Sequence, residues 1–85
     1  MQVTIKYFAS VREAIGLGSE QLATSATTLS GLRDQLIATS PVYAGALARG
    51  KAVRMALNQV MSDESAAVSD GCEIAFFSAR NWRLT

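Results

Sequence analysis

The sequence predicts an α+β domain in which a mixed sheet packs against one main helix. Three observations carry this. Residues Gln2 to Phe8 alternate polar and apolar side chains until Phe8 closes the run, and Cys72 to Phe77 near the other end reads as a second hydrophobic strand. Between them lies one long stretch of helical spacing, where Leu29, Leu32, Leu36 and Ile37 fall at i, i+3, i+7 and i+8. The 85 residues suffice for one domain and not for two. A chain of that size buries only about 60–65% of its unfolded surface, so the core must be simple.

The elements follow in order. In the first strand Val3, Ile5 and Tyr7 point one way and Gln2, Thr4 and Lys6 the other, with Phe8 closing the strand on the polar side. Ser10 to Ile15 reads as a short helix, with Ser10 and Glu13 spaced as a capping box and Gly16 as its stop. Gly16-Leu17-Gly18 turns the chain into a weaker strand running from Glu20 to Thr24. Thr27 or Thr28 caps the main helix, which ends before Pro41 because proline disfavours helical geometry at Ser40. Val42, Tyr43, Ala46 and Leu47 fit one or two further helical turns, closed by Gly50. Val53, Met55 and Leu57 alternate with Arg54 and Ala56 in a third strand, followed by an Asn58-Gln59 turn. Ser62 to Ala67 reads as a surface connection and Ser69-Asp70-Gly71 as a turn. In the last strand Cys72, Ile74 and Phe76 share one face, and Glu73, Ala75 and Phe77 the other. The expected order is strand, short helix, strand, long helix, strand, strand.

Composition narrows the function. Hydrophobic residues make up 49% of the chain and charged ones 18%, an ordinary globular balance. The formal charge of +1 owes two of its eight basic residues to Arg80 and Arg83; without them six Lys+Arg face seven Asp+Glu, a net of −1. With no basic stripe, nucleic acid is not an expected partner. The chain has one cysteine and no histidine, so it lacks the commonest general base and metal ligand and can form no internal disulfide, which fits a reducing cytoplasm. Alternation from the first residues reads as no signal peptide, and no apolar run reaches membrane-spanning length, so a cytoplasmic location away from membranes is expected.

Catalytic templates find no match. The glycines are too dispersed for a phosphate loop, and no Ser-His or Cys-His pair can form. Cys72 falls on the inward face of its strand, the place of a structural thiol. Asp63, Glu64 and Asp70 belong to solvated connections. The expected catalytic, cofactor-binding and metal-ligating residues are therefore none. The positive signal is surface hydrophobicity. Phe8 and Phe77 each end a strand on its polar face, so pairing those strands in parallel puts both rings at one edge, with Met61 positioned to join them. Phe8, Met61 and Phe77 are the expected partner-binding residues.

Three blocks carry a family resemblance: Tyr7-Phe8-Ala9-Ser10-Val11-Arg12-Glu13, Ala56-Leu57-Asn58-Gln59, and Asp70-Gly71-Cys72-Glu73-Ile74-Ala75-Phe76-Phe77. In order and spacing, over residues 1–77, the chain resembles the MoaD-type small subunit of molybdopterin synthase, a sulfur carrier of molybdenum cofactor biosynthesis. The resemblance implies the ubiquitin-like β-grasp fold, with first and last strands parallel at the centre of the sheet. It implies two partners, the large catalytic molybdopterin synthase subunit and an E1-like adenylating enzyme. It also places the family's contact with the large subunit on Phe8, Met61 and Phe77. The chain itself would be a sulfur donor within a transferase complex and would catalyse nothing alone.

The ending departs from that family. There the Phe-Phe strand is followed by Pro-Pro-Val-Thr-Gly-Gly, whose terminal carboxylate becomes an acyl-adenylate and then a thiocarboxylate that gives up its sulfur to molybdopterin. Glycine lets such an end thread a narrow channel. Here the chain reads Ser78-Ala79-Arg80-Asn81-Trp82-Arg83-Leu84-Thr85, so residues 78–85 are expected to be an aberrant tail without regular structure. Codons that the genetic code allows for it include TCC GCC CGT AAC TGG CGG CTG ACT. Without the first T the same bases read CCG CCC GTA ACT GGC GGC TGA, which is Pro-Pro-Val-Thr-Gly-Gly-stop. The expectation is that a single inserted base after the Phe77 codon shifted the frame; a gene whose codons cannot give that ending in another frame would contradict it. Two other readings stay open: a β-grasp sulfur carrier for thiamine or tRNA thiolation, and a non-carrier interaction module whose tail contacts a partner through Trp82 and its arginines.

Overall fold

The two end strands pair with each other, as the family resemblance implies. In the computed structural model, which describes residues 1–48 and 53–78, the element order is β1 (Gln2–Tyr7), α1 (Ala9–Ile15), β2 (Ser19–Ala23), α2 (Leu29–Thr39), α3 (Pro41–Leu47), β3 (Val53–Leu57), β4 (Val60–Ser62) and β5 (Glu73–Ser78). Strand β1 runs parallel to β5, with Ile5 beside Ile74 and Tyr7 beside Phe76. The remaining pairings are antiparallel, giving the order β2-β1-β5-β3-β4. This is the mixed β-grasp sheet.

All three helices pack on one face of it. Val3, Ile5 and Tyr7 from β1, Met55 from β3, and Ile74 and Phe76 from β5 meet Val11 of α1, Leu29, Leu32 and Leu36 of α2, and Leu47 of α3. Burying each such aliphatic side chain contributes about 1.5–3 kcal/mol. Cys72 is buried beside them, as its alternation predicts. Thr28 caps α2, its hydroxyl accepting from the Gly31 N–H at 3.1 Å. Ser40 is extended (φ −160°, ψ 159°), so Pro41 opens a separate helix.

Four local expectations are corrected. The short helix begins at Ala9 with Phe8 at its N-cap, and no side chain caps it, so Ser10 and Glu13 form no capping box. The reason lies in Phe8, whose backbone stays in the sheet. Its N–H donates to the Phe76 carbonyl at 3.0 Å, and its own carbonyl accepts from the N–H groups of Val11 and Arg12 at 3.2 and 3.3 Å. The chain therefore turns at Ala9, which takes a left-handed φ of 54°. That conformation costs a residue bearing a Cβ about 1–2 kcal/mol.

The second strand spans Ser19–Ala23, one residue earlier than expected, because its register is set by pairing Lys6 with Ser19 and Gln2 with Ala23. The last strand is Glu73–Ser78, one residue later than Cys72–Phe77; the Cys72 N–H is held in the preceding turn by the Ser69 carbonyl at 3.2 Å. Strand β4 was unexpected. Three residues are too short to show alternation, and they pair only because Asn58 (φ 50°) and Gln59 (φ 69°) make a tight hairpin turn. Ser78, expected to open the tail, is the last residue of β5, while residues 79–85 and Gly50, expected to close α3, lie outside the described residues.

A buried charge ties the helices to the loops. Arg33 of α2 donates through Nε to the Leu47 carbonyl (2.7 Å) and through Nη2 to the Ala48 carbonyl (2.8 Å), while its Nη1 meets Glu64 Oε2 at 3.2 Å. These bonds satisfy carbonyls at the C-terminal end of α3 that the helix itself leaves open.

Candidate partner-docking site

The face of the sheet away from the helices is built by the second set of alternating positions. Rows follow from the register. Thr4 of β1 lies beside Glu73, Lys6 beside Ala75, and Phe8, one residue past β1 but still extended (φ −128°, ψ 155°), comes level with Phe77. Across β5, Phe77 lies opposite Arg54 and Ala75 opposite Ala56; across β3, Ala56 lies opposite Met61. One row is thus Phe8, Phe77, Arg54, and the next is Lys6, Ala75, Ala56, Met61.

The predicted trio is on one face, at unequal spacing. Phe8 and Phe77 stand on neighbouring strands, about 5 Å apart in backbone. Met61 is separated from Phe77 by β3, and the gap is filled by Ala75 and Ala56. Phe8 is 46% exposed and Met61 40%, whereas Phe77 is half-buried. The two alanines are buried among these larger side chains. Sequence reasoning did not assign them to the site; their alternation with Met55, Leu57 and Phe76 was the available signal. The rim is polar. Lys6 Nζ lies 3.9 Å from Glu73 Oε1, an exposed pair that contributes at most about 1 kcal/mol.

A second cluster lies on the helical face. The Glu20 carboxylate of β2 accepts from the hydroxyls of Tyr7 (2.7 Å) and Tyr43 (2.6 Å), linking β1, β2 and α3 through one oxygen. Burial, then the bond to Glu20, pushes the Tyr7 phenol well above its ordinary ionisation range. The bond to Glu20, then burial, raises that of Tyr43. The Tyr7 ring stacks on Phe76 at 6.0 Å between centroids. This cluster is a structural junction that ties β1, β2 and α3 together. Among the described residues no group of three or more His, Cys, Asp or Glu could hold a metal ion, and no helix is long and apolar enough to cross a membrane.

Comparison with known proteins identifies the lineage. The ThiS family model matches residues 5–80. The molybdopterin synthase sulfur carrier subunit of Haemophilus influenzae is 36% identical over 75 residues, covering 88% of this chain and 91% of the relative. Its Escherichia coli counterpart is 35% identical over the same shares. The chain belongs to the ThiS family. Solved structures agree on the fold. Small archaeal modifier protein 1 of Haloferax volcanii superposes with a TM-score of 0.72 at 20% identity, covering 91% of this chain and 95% of that one. A chain in the complex of subunits 1 and 2 of the molybdopterin-converting factor from Helicobacter pylori matches with a TM-score of 0.63 at 21% identity, covering 92% of this chain and 93% of that one. At these identities the structural likeness speaks for the β-grasp fold alone.

Proposed function

We propose that this ThiS-family chain is the sulfur carrier of a molybdopterin synthase, acting in the cytoplasm and docking on the large catalytic subunit through Phe8, Phe77 and Met61. The observation that carries the reading is the place of the aromatic pair. Phe77 is the penultimate residue of β5, so the patch sits where the chain leaves the sheet toward its C-terminal segment. A partner seated on that patch lies beside the end of β5. The names of the two curated relatives support the choice of molybdopterin over other thiolation reactions, and the paired subunits in the Helicobacter structure support a large-subunit partner. An E1-like adenylating enzyme is the second proposed partner, because a terminal carboxylate must be activated before sulfur can replace its oxygen.

The carrier chemistry needs a slim end, and Trp82, Arg80 and Arg83 do not supply one. The tail 78–85 is read as the family ending displaced by one inserted base. The test is reconstitution with the large subunit, the adenylating enzyme and a sulfur source. A variant carrying Pro-Pro-Val-Thr-Gly-Gly in place of residues 78–85 is expected to gain the mass of a thiocarboxylate and to support molybdopterin formation, while the present chain does neither. Activity of the present chain refutes the tail reading; inactivity of the restored variant refutes the carrier reading.

A further inference from the structure

We propose that Ala9 is a positioning residue, whose left-handed backbone sets the Phe8 ring on the open face of the sheet before a partner arrives. The inference rests on the docking reading above and adds the device that orients its most exposed aromatic group. Between the last residue of β1 and the first turn of α1 there is no connecting loop. Phe8 closes the parallel ladder on one side and accepts two helical N–H groups on the other. Its ring must go to the open face while α1, led by Val11, folds against the opposite one. One residue makes that reversal, and it is Ala9 at φ 54°.

The ring is 46% exposed, so packing alone gives it little fixed direction. Its direction must come from the backbone on either side. Alanine has only a narrow allowed basin at positive φ, whereas glycine at the same place ranges widely. Ala9 thus trades local strain for an elbow with few alternatives. Strain of this kind persists only where surrounding structure over-determines it, here through the three backbone bonds of Phe8. The benefit appears on binding, where a group already in place loses less freedom.

The test is a double-mutant cycle between Ala9→Gly and Phe8→Ala, read as affinity for the large molybdopterin synthase subunit, with Ala9→Asn as the conservative variant. Glycine fits the elbow, so the fold is kept and the urea midpoint should not fall. Ala9→Gly is expected to weaken binding about three- to tenfold in the native background and to have no further effect once Phe8 is alanine. Ala9→Asn should bind like the native chain, because asparagine tolerates the left-handed region. Equal affinity of Ala9→Gly and the native chain, or an equal loss in both backgrounds, overturns the proposal. If Phe8→Ala itself leaves binding unchanged, the docking reading falls and this inference with it. If Phe8→Ala weakens binding while Ala9→Gly is silent, only the role of Ala9 is lost.

Discussion

Glu20 holds two phenols with one oxygen, and the consequence is a dependence of stability on alkaline pH. Both tyrosines are harder to ionise in the folded chain than in the unfolded one. An unfolded tyrosine ionises near pH ~10, so the stabilisation is complete below that value and is lost as pH rises through it toward the higher folded values. Tyr7→Phe keeps the stacked ring and removes one of the two titrations. It should cost about 1 kcal/mol at neutral pH, for the lost bond to Glu20, and give a shallower decline of urea midpoints above pH ~10. Parallel declines for both chains contradict the assignment. Neither this junction nor the buried Arg33 is legible in the sequence. Tyr7 reads as core from alternation, but its hydroxyl's partner depends on β2 lying beside β1. Arg33 falls at i+4 from Leu29, on the apolar stripe of α2, but its acceptors, the Leu47 and Ala48 carbonyls, come within reach only when α3 folds back.

At the scale of elements, what can be read depends on length. β1, β5 and α2 carry six, six and eleven residues, enough for the two periods to declare themselves. β4 has three residues and a turn of Asn-Gln instead of Asn-Gly, so both its signals are weak. That turn also holds the clearest scope for improvement. Gln59 is exposed and sits at φ 69°, and glycine is the preferred second residue of such a turn. Gln59→Gly should stabilise the chain by about 0.5–1 kcal/mol, the relieved strain exceeding the added flexibility of the unfolded state. Chemical denaturation measures it, and a lower midpoint would show that the Gln59 side chain makes a contact worth more than the strain. The strand-to-helix elbow at Ala9 escapes sequence reading for a different reason. Ser10 and Glu13 have the spacing of a cap, yet the parallel ladder holds Phe8 and claims the capping position first.

The whole molecule divides its labour between two faces. Helices cover one side of the sheet, and the other presents Phe8, Phe77 and Met61 around Ala75 and Ala56. Two of these are legible because a phenylalanine breaks the polar side of an alternating strand. The alanines are not, since their place between Phe77 and Met61 exists only once β3 lies between β5 and β4. The central claim is that this face docks the large molybdopterin synthase subunit whatever residues follow Ser78. Titration calorimetry against that subunit tests it most directly, comparing the present chain with a Phe8→Ser, Met61→Ser double variant. Both side chains are exposed, so folding stability should change by no more than about 1 kcal/mol. The account predicts a measurable complex for the present chain and at least a tenfold (~1.4 kcal/mol) loss of affinity for the variant. Equal affinities, or no complex at all with a folded chain, contradict it.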